Sequence, residues 1–89
     1  MLNPQTDPIE YSRFMFELTD ASEHLEKLIS DIEGNSEYSD TELSIDMGHI
    51  FAHLNRAWNT RNRDDSNPVD IKAEHDSISE FPLDLKPIG

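Results

Sequence analysis

The chain has 89 residues, of which 19 are acidic and 7 basic, so its formal charge is −12, and it contains no cysteine. This length allows one small domain and excludes a multidomain enzyme, while the lack of cysteine excludes disulfides and thiolate metal sites. The negative charge disfavours general binding to nucleic acid or to an anionic membrane.

The first predicted helix covers residues 8–33. Asp7 is a candidate N-cap, Pro8 suits the first helical position, and Gly34 provides a stop signal. Apolar side chains recur at intervals of three and four residues, the heptad pattern of helices that pack at shallow angles. We call these apolar positions the first seam, and they are Tyr11, Phe14, Leu18, Ala21, Leu25, Leu28 and Ile32.

The second predicted helix covers residues 40–64. Ser39 and Glu42 have the spacing of a capping box, and Pro68 prevents the helix from continuing far beyond its predicted end. Because the connection between the helices is short, we expect an antiparallel hairpin in which the two seams face each other. The second seam consists of Leu43, Met47, Ile50, Leu54, Ala57 and Arg61.

The C-terminal segment, residues 67–89, is predicted to be an irregular, extended tail that follows a helical hairpin of residues 1–66. It contains three prolines and shows no helical period. Apolar residues such as Phe81 favour packing of part of the tail on the outer helix face, over Phe16 and Ile45. A disordered acidic tail is the alternative.

One flank of both helices, beside the seams, is also apolar. At about 100° per residue, this flank lies on the same edge of an antiparallel pair. A two-helix hairpin cannot bury such an edge, so we expect two copies to form a homodimeric four-helix bundle. The expected interface residues are Tyr11, Met15, Ser22, Ile29, Phe51 and Trp58.

The opposite flank carries carboxylates and histidines. Asp46, His49 and His53 lie three and four residues apart, a spacing that places metal ligands on one helix face. The alternative is a solvated acidic face with helix-spaced polar pairs. The first helix places Glu17, Asp20, His24 and Asp31 on the same flank. It lacks a Glu-x-x-His pair, so a di-iron enzyme is not expected.

A short basic region interrupts the acidic chain, because residues 47–63 contain three arginines and no acid. Arginine binds phosphate or carboxylate through two donors, and tryptophan offers a stacking face. The candidate anion-binding residues are Tyr11, Arg13, Arg56, Trp58 and Arg61. Alternatively, the arginines complement the helix dipole, and the stem of Arg61 packs on Phe14 in the last layer of the seam.

No catalytic residues are predicted, because the chain lacks a nucleophile elbow and a glycine-rich phosphate loop. We expect a small, non-catalytic interaction or adaptor module that acts as a homodimer, uses no cofactor and binds a basic protein partner. The alternatives are a DNA mimic, a binder of anionic ligands or nucleotides at the Arg/Trp end of the second helix, and a metal-binding helical bundle.

A soluble, cytoplasmic location is expected. No apolar run approaches the ~20 residues of a membrane span, and no signal-peptide core follows Met1. Neither a membrane nor a nucleic acid is therefore expected among the partners.

Overall fold

The computed structural model describes residues 2–62 and 71–89 of the chain. Within these ranges there are three helices, α1 (Pro8–Gly34), α2 (Asp40–Thr60) and α3 (Ile71–Ile78). The predicted all-α class is confirmed for this part of the chain, which contains no strand. None of its helices is long and apolar enough to cross a membrane.

Helices α1 and α2 form the predicted antiparallel hairpin. Near its open end, Arg13 Nη2 of α1 donates to the carbonyl oxygen of Thr60 at 3.4 Å. Near the turn of residues 35–39, Tyr38 and Leu43 pack against the buried core. α2 ends at Thr60, a turn covers residues 61–62, and the rest of the predicted second helix lies outside the described residues.

The two helix starts use their predicted capping residues differently. Ser39 and Glu42 form a complete capping box, in which each side chain accepts from the other residue's backbone N–H. Asp7 also occupies an N-cap position, but its side chain makes no capping hydrogen bond. Its carboxylate instead accepts from the hydroxyl of Thr6 at 3.1 Å. The start of α2 is therefore more strongly specified than that of α1.

The hairpin core uses only part of the predicted seams. Its buried apolar residues, Ala21, Leu28, Ile50 and Ala57, are all seam positions, and His53, Asn55 and Thr60 are the buried polar residues. Four predicted seam residues are 36–46% exposed, namely Leu25, Ile32, Met47 and Leu54. The prediction that the seams fill themselves therefore holds for the buried positions and fails for these four. On the histidine flank, polar contacts also join the helices, because Glu17 of α1 contacts His53 and Arg56 of α2.

The sequence predicted an extended C-terminal segment, but part of this segment is helical. Ile71–Ile78 form α3, and irregular backbone follows it. Asn55 Nδ2 donates to the carbonyl oxygen of Ser79 at 2.9 Å, and Asn59 Nδ2 donates to those of Ile78 and Glu80 at 2.8 and 2.9 Å. These amides hold the beginning of a segment, residues 78–84, that we call the strap.

The strap packs on a different face of the hairpin from the one predicted. The ring of Phe81 lies 5.4 Å from that of Phe51, measured between centroids, and Trp58 Nε1 donates to Asp84 at 3.0 Å. Phe16 and Ile45 are 62% and 67% exposed, so the tail does not cover them. Hydrogen bonding from the amides of α2, rather than burial of those two side chains, accounts for the path of the strap.

The turn between α1 and α2 makes a pH-dependent contribution to stability. The hydroxyl of Tyr38 donates to the carboxylate of Asp46. Partial burial, followed by this hydrogen bond, raises the pKa of Tyr38 from 10.0 to about 12. The folded state therefore holds the phenolic proton more tightly than the unfolded state. This stabilisation is complete below the unfolded pKa and disappears as the pH rises through the folded one.

We expect an alkaline titration of tyrosinate absorbance to show one phenol with a pKa of about 12, and Tyr38→Phe to remove that transition. Thermal melts should show the stability of the wild type falling across the same pH interval. A Tyr38→Phe protein with an unchanged late transition would contradict the contact.

Candidate functional site

Three histidines from the two long helices meet on the polar flank of the hairpin. His24 belongs to α1, and His49 and His53 belong to α2. Each histidine has one ring nitrogen that lies within 4.8 Å of a ring nitrogen of the other two. The Nε2 atoms of His49 and His53 are 3.2 Å apart, and the ring centroids of His24 and His49 are 4.1 Å apart. We call this group the histidine cluster.

The helical repeat and the antiparallel register together produce the cluster. His49 and His53 are one helical turn apart on α2, so they share a face. α1 runs antiparallel to α2 and places His24 beside these two histidines. His53 is buried, His24 is half-buried and His49 is exposed, so the cluster is open to solvent on one side.

A carboxylate orients the buried histidine. His53 Nδ1 lies 2.6 Å from Glu17 Oε2, and Arg56 Nε donates to Glu17 Oε1 at 3.1 Å. Arg56 Nη2 is also 3.1 Å from His53 Nδ1. The carboxylate is closer and accepts only, so we assign the proton to Nδ1. In the tautomer with its proton on Nδ1, Nε2 is the acceptor nitrogen of His53, and it lies 3.2 Å from His49 Nε2.

The surroundings favour a neutral His49. Partial desolvation within the cluster, followed by electrostatic repulsion from His24, His53 and Arg56, lowers the pKa of His49 below its usual value of 6.5, and the nearby carboxylate of Asp20 opposes this effect. Neutral imidazole has a lone pair with which to bind a proton or a metal ion.

Carboxylates also lie beside the cluster. Asp20 Oδ2 is 4.0 Å from His53 Nε2. A groove of about 200 Å³ runs past His24 and His49, and its other lining residues are Lys27, Leu28, Asp31 and Asp46. Lys27 pairs with Asp31 at 2.7 Å. Among the described residues of this region, Asp46 and Asp20 are the carboxylates without a lysine partner. Neutral imidazoles next to carboxylates are chemically suited to holding a divalent cation.

The structure brings together two of the three predicted metal ligands, His49 and His53. Asp46 lines the same groove, but its carboxylate accepts a hydrogen bond from Tyr38. The residue that sequence reasoning omitted from the ligand set is His24. The sequence places His24 on the same flank as the other two histidines. The helical repeat alone does not show which residues of α2 lie beside it.

Two of the five predicted anion-binding residues, Arg13 and Arg56, line one groove of about 210 Å³. Arg56 pairs with Glu17 beside the histidine cluster and donates from Nη1 to the hydroxyl of Ser79 at 2.9 Å. Arg13 donates to Thr60 at the open end of the hairpin. Tyr11 is half-buried on α1. The structure therefore brings Arg13 and Arg56 to one groove, whose lining does not include Tyr11.

Arg61 stacks on tryptophan. Its guanidinium carbon lies 3.6 Å from the Trp58 ring centroid, and Nη1 donates to the carbonyl oxygen of Trp58 at 2.7 Å. Nη2 is 3.8 Å from Asp84 in the strap. The guanidinium of Arg61 therefore makes a cation–π contact with Trp58.

The edge opposite the histidine cluster is apolar and incompletely covered. Seven large side chains there are 36–50% exposed, and we call them the apolar strip. They are Met15, Leu25, Ile29, Ile32, Met47, Phe51 and Leu54. Of the other predicted interface residues, Ser22 is exposed, whereas Tyr11 and Trp58 are half-buried.

Comparisons of the chain with protein-family models, with curated proteins and with solved structures find no match. Function is therefore inferred from the chemistry of the histidine cluster and the apolar strip.

Proposed function

We propose that the protein is a small, non-catalytic interaction module that acts as a homodimer, with two hairpins forming a four-helix bundle. The observation that supports this proposal is the apolar strip, whose seven side chains are 36–50% exposed in the single chain. Covering the exposed half of one such side chain contributes about 1 kcal/mol. A partner that covers the whole strip therefore adds substantially to a core that is small in the isolated hairpin.

The spacing of the strip fits a second pair of helices. Leu25, Ile29 and Ile32 follow one another at intervals of four and three residues in α1. Met47, Phe51 and Leu54 repeat the same intervals in α2. This pattern is typical of helices that pack side by side at a shallow angle. Because both helices contribute equivalent rows, a two-fold axis can place the strip against its own copy.

Charge restricts how a second copy can occupy the strip. Each chain carries a formal charge of −12, so two copies repel wherever their acidic faces approach each other. All residues of the strip are uncharged, and so are Leu18 and Ser22 between them. Association through this edge keeps the acidic faces apart and leaves them outward, where they suit a basic protein partner.

A nucleotide-binding function is less well supported by the same contacts. Arg56 lies 3.1 Å from Glu17, and Arg61 lies 3.8 Å from Asp84. An incoming phosphate would compete with these carboxylates for both guanidinium groups.

The dimer is tested by placing a charge on the strip. At micromolar concentration, sedimentation equilibrium should give the wild type twice the 10.2 kDa mass of one chain. Ile29→Glu should shift the mass toward that of one chain, because dimerisation would bury the new carboxylate. Ile45→Glu makes the same change at an exposed isoleucine outside the strip, and should remain dimeric.

Circular dichroism of the same samples shows whether the helices are retained. A monomeric wild type would overturn the proposal, as would an Ile29→Glu protein that remains as dimeric as the Ile45→Glu control.

A further inference from the structure

We propose that the histidine cluster is a zinc site, in which His24, His49 and His53 bind one Zn²⁺ per chain and connect α1 to α2. This inference is independent of dimerisation, since all three ligands belong to one hairpin. His24 lies far along the chain from the α2 pair, so the ion would join segments that are close only in the folded protein.

The distances within the cluster are near those of a zinc site. Tetrahedral zinc with Zn–N bonds of about 2.0–2.1 Å places its ligand nitrogens about 3.3–3.4 Å apart. The Nε2 atoms of His49 and His53 are already 3.2 Å apart. All three ligand atoms fit within 4.8 Å, so small side-chain rotations of half-buried His24 and exposed His49 complete the geometry.

Glu17 supplies the outer shell that metal-binding histidines typically have. A carboxylate that accepts from one imidazole nitrogen fixes the tautomer and aims the other nitrogen at the metal. Glu17 accepts from His53 Nδ1 at 2.6 Å, and Arg56 holds Glu17 in place at 3.1 Å. His53 Nε2 is thus oriented toward the centre of the cluster before any ion binds.

The ligand chemistry favours zinc over magnesium or calcium. Imidazole suits Zn²⁺ and neighbouring transition metals, whereas Mg²⁺ and Ca²⁺ prefer oxygen ligands. Three histidines leave a fourth coordination position for water or a carboxylate. Asp20, 4.0 Å from His53 Nε2, is the nearby carboxylate that can occupy it or balance the charge of the ion.

The chain contains a matched control for this site. His75 is exposed on α3 and lies outside the cluster. Calorimetric titration of the full chain with zinc chloride should give one site per chain for the wild type and for His75→Ala. His24→Ala should weaken binding by more than the roughly 10- to 100-fold that loss of an outer-shell partner costs. Magnesium chloride should give no binding.

Stability provides a second readout. Zinc binds the folded hairpin and should raise the Tm of the wild type and His75→Ala, and chelation by EDTA should reverse the rise. The Tm of His24→Ala should respond little. His24 is only half-buried, so we expect this variant to remain folded, and circular dichroism without metal checks it.

Three outcomes would overturn the zinc site: no binding of zinc by the wild type at micromolar concentration, full binding by His24→Ala, or equal loss in His75→Ala. Ile29→Glu separates the two proposals, because a site within one hairpin keeps its zinc affinity when the dimer dissociates. Loss of zinc binding in that folded variant would also contradict a site built from one chain.

Discussion

Arg56→Ala is expected to destabilise the folded protein by about 3 kcal/mol, a value typical of breaking a buried ion pair by removing one partner. The side chains of Arg56 and Glu17 are only 11% and 15% exposed. Without the guanidinium, the Glu17 carboxylate keeps His53 but loses its charged partner. The variant also loses the hydrogen bond to Ser79, so one substitution weakens both the α1–α2 contact and attachment of the strap.

Urea denaturation at a fixed protein concentration measures this effect, because association would otherwise change the apparent stability. Arg61→Ala is the matched control. Its guanidinium is more exposed and lies over Trp58, so its removal should cost about 1 kcal/mol or less. Arg56→Lys should lie between wild type and Arg56→Ala, since an ammonium group cannot bridge Glu17 and Ser79 in the same way. Equal losses in Arg56→Ala and Arg61→Ala would contradict the bridging role.

Ile50→Ala should cost about 3 kcal/mol, within the usual range for truncating a large core side chain. Ile50 is 6% exposed and belongs to the cluster formed with Ala21 and Leu28. Leu54 lies one helical turn further along α2 but is 39% exposed in the single chain. Leu54→Ala should therefore cost about 1 kcal/mol in a monomer, because less apolar surface returns to water.

The comparison is made by urea denaturation with Ile29→Glu present in both proteins, so that a second copy does not cover Leu54. If the strip is buried between copies, restoring Ile29 should increase the loss of unfolding free energy caused by Leu54→Ala. The loss caused by Ile50→Ala should increase less. Equal losses in the Ile29→Glu background would show that the seam is buried equally at both positions.

Local signals predicted the helices well. The capping box at Ser39 and the apolar repeat predicted two helices, and the short connection predicted their antiparallel pairing. α1 ends at Gly34, but neither Gly34 nor Asn35 adopts the left-handed conformation expected of a stop at this position. The repeat did not identify which positions of the seam would be buried. That choice depends on contacts across the hairpin, such as Glu17 with Arg56 and with His53, whose strength is not visible in periodicity.

The C-terminal helix was missed for a different reason. α3 has only 8 residues, little more than two turns, and such a length contains few periodic positions. Its position is tied to polar groups on α2, including Asn55 and Asn59, which looked like surface residues in the sequence. A hydrophobic pattern does not report on side-chain amides that bind another segment's backbone.

The candidate metal site was predictable in part. The four-residue spacing of His49 and His53 identified half of the arrangement. Including His24 in the ligand set required the register between α1 and α2. Excluding Asp46 required the knowledge that Tyr38, in the intervening turn, hydrogen-bonds to its carboxylate. Ligand sets that combine two helices therefore depend on tertiary register more than on motif spacing.

The strap has a consequence for tolerance to mutation. Asn55 and Asn59 bind main-chain oxygens of residues 78–80, which every amino acid provides. These hydrogen bonds therefore fix the backbone path at residues 78–80 and do not themselves depend on the side chains there. Substitutions at Glu80, whose side chain is exposed, should accumulate without loss of attachment. Replacement of either asparagine removes the donors themselves, so sequence variation should be tolerated at Glu80 and restricted at Asn55 and Asn59.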